Sequence, residues 1–159
     1  MATRTTKTKS KKMKIMVLNG PNLNLLGIRE PAIYGSQNYA TLEKMIRDRA
    51  KELGVEVDIR QTNHEGVLVD WIQETLQGYD GIVINPAAYT HSSIAILDAL
   101  KAVQVPAVEV HISEIHKRDT FRHISYAGVA CEKTVTGLGF DGYLRALEYL
   151  VETHGPKAK

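Results

Sequence analysis

Short apolar runs alternate along the chain with longer stretches in which apolar residues recur at helical spacing. The short runs predict strands over residues 14–18, 55–60, 81–84 and 107–110, and a fifth strand at 134–135. The longer stretches predict helices over residues 41–53, 66–76, 92–103 and 142–153. Strands that alternate with helices are typical of a parallel sheet. The pattern therefore predicts an α/β fold, a flavodoxin-like, doubly wound five-stranded sheet in a three-layer sandwich.

Composition and charge divide the chain into a basic tail and a single domain. The length of 159 residues, with 43% hydrophobic and 24% charged residues, fits one globular domain. Most of the excess positive charge lies in residues 1–12, which contain five Lys and Arg residues and no acid. We predict a disordered basic tail over residues 1–12 and a single flavodoxin-like domain over 13–159; a nucleic-acid-binding arm is the alternative for the tail.

The chain shows no secretory signal and no apolar stretch long enough to span a bilayer, so a cytoplasmic protein is expected. Cys131 is the only cysteine, which excludes an internal disulfide and a C-x-x-C zinc or redox motif. The phosphate loop is also absent, and the histidines lack metal-ligand spacing. Gly137, Gly139 and Gly142 have G-x-G-x-x-G spacing, but we interpret the G-L-G at Gly137 as a turn. We therefore expect neither a cofactor nor a metal.

Polar residues follow the predicted strands at the points where the strands end. The first strand runs into Asn19-Gly20-Pro21-Asn22, and the third into Asn85-Pro86. Such residues also shape ordinary turns. Because the carboxyl ends of parallel strands meet at one edge of a doubly wound sheet, their side chains are expected to form a site there for a small, hydroxylated, anionic ligand.

The connection over residues 22–36 is long for a βα loop, which is typical of a lid. Gly27 and Gly35 would be its hinges, and it carries Arg29 and Tyr34. Tyrosine is a poor base because its ordinary pKa is about 10, but a guanidinium about 4 Å away contributes roughly 4 kcal/mol, or about three pKa units. Tyr34 is thus a candidate base activated by Arg29, or a residue that only packs against the sheet.

Further candidates lie in and after the third and fourth strands. Glu109 and His111 share one face of a strand, so the carboxylate can hold the imidazole of a general acid in one tautomer. Asn85 ends the third strand, and His91 precedes a helix whose N-terminus attracts anions. Arg118 and Arg122 extend the positive charge. The alternatives are a structural histidine, a turn-forming Asn85 and arginines that only pair with acids.

These residues occur in runs with a distinctive order: N-G-P-N-L-N-L-L-G-I-R-E-P-A-I-Y-G, Q-T-N-H-E-G, I-N-P-A-A-Y-T-H-S-S, E-V-H-I-S and Y-A-G-V-A. From residue 13 to about residue 150, the chain resembles the type II 3-dehydroquinate dehydratases, which are small flavodoxin-like enzymes of the shikimate pathway. The resemblance implies a lyase that removes water from 3-dehydroquinate by anti elimination through an enol or enolate, without a cofactor.

The resemblance also assigns roles to individual residues. It implies that Tyr34 is the base, that Arg29 lowers its pKa and that Asn22 organises the enolate and a water. His111 would be the acid, with Glu109 supporting it. The residues implied to bind substrate or to lie beside it are Asn85, His91, Ile112, Ser113, Arg118, Arg122 and, from a neighbouring subunit, Asp98.

The family's usual assembly implies a homododecamer built from trimers, with a small-molecule substrate and neither nucleic acid nor membrane as partner. Ser92, Ser93 and Leu97 depart from the family's common pattern near Asp98. Two alternatives stay open at this point: the same reaction in quinate breakdown, and a non-catalytic module of the same fold that binds an anion or nucleic acid.

Overall fold

Five parallel strands form the centre of the structure, a computed structural model that describes residues 12–28 and 37–156. The strands are β1 (Lys14–Asn19), β2 (Glu56–Gln61), β3 (Gly81–Asn85), β4 (Ala107–His111) and β5 (Lys133–Thr136). Their order in the sheet is β2-β1-β3-β4-β5, and every neighbouring pair is parallel. The predicted flavodoxin-like sheet is confirmed. The order reverses between β1 and β3, where such folds bind their ligands.

The helices cover both faces of the sheet. They are α1 (Tyr39–Leu53), α2 (Glu65–Glu74), α3 (Ile94–Val103), α4 (Tyr126–Val129) and α5 (Asp141–His154). Asn38 caps α1 by accepting the Thr41 N–H, so this helix begins two residues before its predicted start. Ser93 caps α3 by accepting the Ile96 N–H, which places the helix start later than predicted. The short helix α4 was not predicted.

Alternation along the strands separates two apolar clusters. Val17 and Val83 belong to the cluster that packs under α1 and α5, whereas Leu18 and Ile84 belong to the one that packs under α2 and α3. The same alternation continues into the polar strand ends. Residues 19 and 85 therefore face α5, while residues 109 and 111 face the opposite side, towards α3 and α4.

The loops after β1 and β3 are in direct contact. The Gly20 N–H donates to the Asn85 carbonyl at 2.8 Å. A Cβ atom at Gly20 would lie only 2.3 Å from the Pro86 carbonyl oxygen, so no larger residue fits without moving a backbone. Glycine at this position lets the two loops form one continuous floor at the edge of the sheet.

None of the helices in the described part of the chain is long and apolar enough to cross a bilayer. Several predictions lie outside the described residues: the basic tail apart from Lys12, and Arg29, Tyr34 and Gly35 of the proposed lid. Gly27, the other proposed hinge, is described and has a φ of 91°, which glycine adopts readily.

Candidate active site

A cleft opens at the carboxyl ends of β1, β3 and β4. The space within it for water-sized groups is about 40 Å³. The residues of the predicted site that line it are Asn22, Asn85, His91, His111, Ile112, Ser113, Arg118 and Arg122. Glu109 lies behind His111 and is fully buried. Asp98 is exposed on α3 and is not part of this lining.

The pair formed by Glu109 and His111 is the most buried charged contact of the cleft. His111 Nε2 lies 3.2 Å from Glu109 Oε1, and the two side chains are 6% and 0% exposed. The atoms are within ion-pair distance, but His111 Nε2 has no well-aligned hydrogen-bond acceptor within residues 12–28 and 37–156. The Glu109 carboxylate therefore lies against one nitrogen of the His111 ring without an aligned hydrogen bond to it.

Three hydroxyl groups surround the Glu109 carboxylate. Thr90 Oγ1 donates to Oε2 at 2.6 Å, Ser125 Oγ donates to the same oxygen, and Thr134 Oγ1 donates to Oε1 at 3.4 Å. Burial acts to raise the pKa of Glu109, but the nearby His111 and the hydroxyl donors lower it, and the net pKa is below the ordinary value. Glu109 is thus held as a carboxylate inside the protein.

His91 lies beside His111 and is held by the backbone. Its Nδ1 donates to the Ile124 carbonyl at 2.7 Å, and its ring stacks on His111 with the centroids 6.4 Å apart. Burial lowers the pKa of His91, and the charges of His111 and Arg122 act in the same direction. A neutral ring with its proton on Nδ1 leaves Nε2 as an acceptor for a ligand hydroxyl.

Asn85 and Asn22 are held in specific orientations. The Asn85 side chain accepts the Ala87 N–H on Oδ1 at 3.1 Å and donates from Nδ2 to the Tyr143 hydroxyl at 2.8 Å. Asn22 has a φ of 69°, and its N–H donates to Asn63 Oδ1 at 3.0 Å. Left-handed backbone is tolerated by asparagine better than by most residues. This turn places Asn22 at the rim of the cleft.

Two arginines make the cleft attractive to anions. Arg122 Nε is buried and has no hydrogen-bond partner among the described residues, while its guanidinium lies 5.3 Å from the centre of the Phe121 ring. The carbonyl of Arg118 accepts a hydrogen bond from His123 Nε2 at 2.9 Å, which fixes the segment that carries it. A buried guanidinium donor that lacks an acceptor is suited to a ligand oxygen.

Several residues that support the site were not predicted from the sequence. Thr90 was considered only as a helix cap, whereas its hydroxyl donates to Glu109. Ser125 and Tyr143 were not singled out, although they contact Glu109 and Asn85 respectively. The alternation of residues along the strands was enough to predict that Asn19 and Asn85 lie on the same face of the sheet. No sequence pattern near Tyr143 indicates that its side chain contacts them.

Comparison with known proteins gives consistent matches over the described fold. The family model "Dehydroquinase class II" matches residues 13–151. The 3-dehydroquinate dehydratase of Endomicrobium trichonymphae is 55% identical over 138 residues, which is 87% of this chain and 96% of that protein. The enzyme of the same name from Lachnospira eligens is 54% identical over 142 residues, covering 88% of this chain and 97% of that one.

Solved structures agree with these matches. The crystal structure of type II dehydroquinase from Butyrivibrio crossotus has a TM-score of 0.86 and 51% identity, covering 87% of this chain and 97% of that chain. The type II dehydroquinase from Propionibacterium acnes has a TM-score of 0.85 and 43% identity, with 89% and 99% covered.

Proposed function

Because this chain belongs to the class II dehydroquinase family, we propose that its cleft removes water from 3-dehydroquinate by acid–base catalysis, giving 3-dehydroshikimate. The single observation that carries this proposal is the convergence of His111, its buried partner Glu109, His91, Asn85 and Arg122 on one cleft at the strand ends. This set provides an acid, acceptors and donors for hydroxyl groups, and positive charge for a carboxylate. The reaction needs each of these.

His111 is the general acid of the proposed reaction. With Nε2 facing Glu109, Nδ1 is the nitrogen that carries the transferable proton. The buried Glu109 carboxylate lies 3.2 Å from His111 Nε2 and fixes the orientation of the ring. His111 gives this proton to the departing hydroxyl group, which leaves as water.

Tyr34 and Arg29 are proposed as the base and the residue that activates it; both lie outside the described residues, and their roles rest on the family resemblance. The phenolate of Tyr34 takes the proton from the carbon next to the ketone. The electron pair moves onto the ketone oxygen and forms an enolate, which Asn22 stabilises through a water. Re-formation of the ketone then expels the hydroxyl group on the far side, which is an anti elimination.

The remaining cleft residues hold the substrate. His91 Nε2 and Asn85 are placed for ring hydroxyls, and the buried Arg122 Nε is placed for an anionic or hydroxyl oxygen. The backbone at Ile112 and Ser113 lines the same cleft and is proposed to bind the carboxylate. Fixed donors and acceptors on several strands orient the ring between acid and base.

An absorbance assay tests the proposal directly. Purified protein is incubated with 3-dehydroquinate, and the conjugated enone of the product is followed. We expect wild-type turnover, and Tyr34→Phe should nearly abolish it while substrate still binds, since phenylalanine keeps the ring but cannot take a proton. Tyr149→Phe is the matched control, because that hydroxyl contacts Glu132 away from the cleft. A folded wild-type protein without turnover would contradict the proposal.

Asp98 and the assembly form a separate proposal. We propose a homododecamer of trimers in which Asp98 reaches the site of a neighbouring subunit. The position of Asp98 supports this, because it is exposed on α3, the helix that begins with Ile94, which is 55% exposed. Light scattering measures the mass, and Asp98→Ala should lower activity if the site spans two subunits. A fully active monomer would exclude this arrangement.

We propose the shikimate pathway, in the cytoplasm, as the setting of the reaction; the family's standard role supports this. The test expresses this chain in a bacterium that lacks dehydroquinase and cannot grow without added aromatic amino acids. We expect the chain to restore growth. Restoration of growth on quinate alone would favour the catabolic alternative.

A further inference from the structure

A chain of hydrogen bonds runs beneath the cleft from one backbone group to another. The Ala87 N–H donates to Asn85 Oδ1, and Asn85 Nδ2 donates to the Tyr143 hydroxyl at 2.8 Å. The Tyr143 hydroxyl donates to Asn19 Oδ1 at 2.7 Å, and Asn19 Nδ2 donates to the Arg60 carbonyl at 3.3 Å. The chain thus links the ends of β1, β2 and β3 through one residue of α5.

The two backbone ends fix the direction of every bond in this chain. A backbone N–H can only donate, so Asn85 must present Oδ1 to Ala87. A carbonyl can only accept, so Asn19 must present Nδ2 to Arg60 and Oδ1 to Tyr143. The single hydroxyl hydrogen of Tyr143 is then used on Asn19, and its oxygen accepts from Asn85. Turning over either carboxamide would bring two donors or two acceptors together.

We propose that Tyr143 and Asn19 are positioning residues that hold the Asn85 carboxamide with its remaining Nδ2 hydrogen directed to the substrate. One Nδ2 hydrogen is used on Tyr143, and Oδ1 receives the Ala87 N–H, so the second Nδ2 hydrogen is the donor left for the cleft. Asn85 therefore selects an oxygen that accepts a hydrogen bond, such as a ring hydroxyl. This inference rests on the proposed role of Asn85 in binding substrate.

The Tyr143 hydroxyl group is buried, and packing alone does not explain why it is there. Tyr143 and Asn19 are fully buried and Asn85 is 3% exposed. Phenylalanine would fill the same apolar space beneath Val17, Val83 and Val110, so packing alone does not require the hydroxyl group. Buried polar groups specify a single arrangement only when each of them has a hydrogen-bond partner. Here the series of hydrogen bonds leads to Asn85, a residue that lines the cleft.

A double-mutant cycle tests whether Tyr143 acts through Asn85. Tyr143→Phe is made in the wild type and in Asn85→Ala, and kcat and KM are measured for 3-dehydroquinate. We expect Tyr143→Phe to lower kcat/KM roughly tenfold in the wild type, mainly through KM, because a directed hydrogen bond to substrate is weakened. In the Asn85→Ala background, where no carboxamide remains to be held, the same change should alter kcat/KM by less than about twofold.

Tyr79→Phe is the matched control for a general loss of stability. It removes a hydroxyl that donates to Asp58 at 2.8 Å, away from the cleft lining. We expect this variant to lose stability without a change in kcat/KM. Equal losses for Tyr143→Phe in both backgrounds, or no loss in the wild type, would overturn the inference.

A crystal structure of Tyr143→Phe provides a readout that does not depend on turnover. We expect the Asn85 carboxamide to be tilted away from its wild-type plane, with Oδ1 still towards the Ala87 N–H, since only that bond still holds it. An unchanged orientation would overturn the inference even if the enzyme were active. Conversely, absence of wild-type turnover would defeat the proposed function while this structural test still decides the role of Tyr143.

Discussion

On the face of the sheet covered by α1 and α5, the cleft is supported by neutral groups, whereas on the opposite face it is supported by an ionised carboxylate. The neutral side consists of Asn19, Asn85 and Tyr143. On the charged side, Glu109 contacts His111 and receives hydroxyl donors that include Thr90. Both groups are buried, and both lie at the ends of strands in the same sheet.

The difference separates recognition from proton transfer. On the neutral side, the backbone groups at the two ends of the hydrogen-bond series set the direction of each hydrogen bond. None of the amide groups in this series titrates in the physiological range. The charged side contains the ionisable Glu109, whose pKa lies below its ordinary value, so its properties change with pH. In the proposed reaction, one face orients the substrate and the other supplies the acid for elimination.

His111→Asn should give the largest effect and tests whether the acid lies on the charged face. Asparagine keeps a hydrogen-bonding side chain but cannot transfer a proton, so we expect kcat to fall by about 10²- to 10⁴-fold with a small change in KM. His154→Asn is the control, because that ring contacts Glu132 away from the cleft. A loss of less than about tenfold in kcat would place the acid elsewhere.

Glu109→Gln removes the charge while keeping the shape, and its effect should be the next largest. His111 would lose the buried charge that lies 3.2 Å from its Nε2, so kcat should fall on the order of ten- to a hundredfold. The pH profile of kcat should also change in form, whereas Tyr143→Phe should lower kcat/KM by a similar factor at each pH. If the pH profile of kcat kept its wild-type shape in both variants, the proposed difference in role between the two faces would be wrong.

The same substitution makes a prediction about stability. The pKa of Glu109 is below its ordinary value of 4.5, so ionisation stabilises the fold above that pH, and this contribution is lost as the pH falls through the lower folded value. Urea unfolding should therefore show a difference in unfolding free energy between wild type and Glu109→Gln that narrows below about pH 4.5. A difference independent of pH would mean that the carboxyl is not ionised in the fold.

The sheet was predictable because each strand is a short apolar run followed by polar residues. Caps at Asn38 and Ser93 each moved a helix start by two residues, since several nearby polar side chains were able to cap. Helix α4 was missed because four residues, Tyr126–Val129, are too few to show helical periodicity. Ser125, which caps this helix at Gly128, is fixed by tertiary contacts.

The residues that line the cleft were more predictable than those that hold them. Asn85 and His111 end apolar strands, so a parallel sheet alone brings them to one edge. Tyr143 is 58 residues from Asn85, and its helical pattern is equally consistent with plain core packing. Only the folded arrangement brings its hydroxyl to the carboxamide.

Thr90→Val should give the smallest effect and tests the charged face most finely. Valine keeps the buried shape but removes the hydroxyl that donates to Glu109 at 2.6 Å. Loss of this donor should raise the pKa of Glu109, so the pH at which the carboxylate's contribution to stability disappears should move upward, while kcat falls only a few-fold because His111 keeps its partner. Unfolding free energy should fall by about 1–3 kcal/mol at neutral pH. Activity that falls as far as in Glu109→Gln would contradict this prediction. Thr90 would then affect the reaction by a route other than its hydrogen bond to the Glu109 carboxylate.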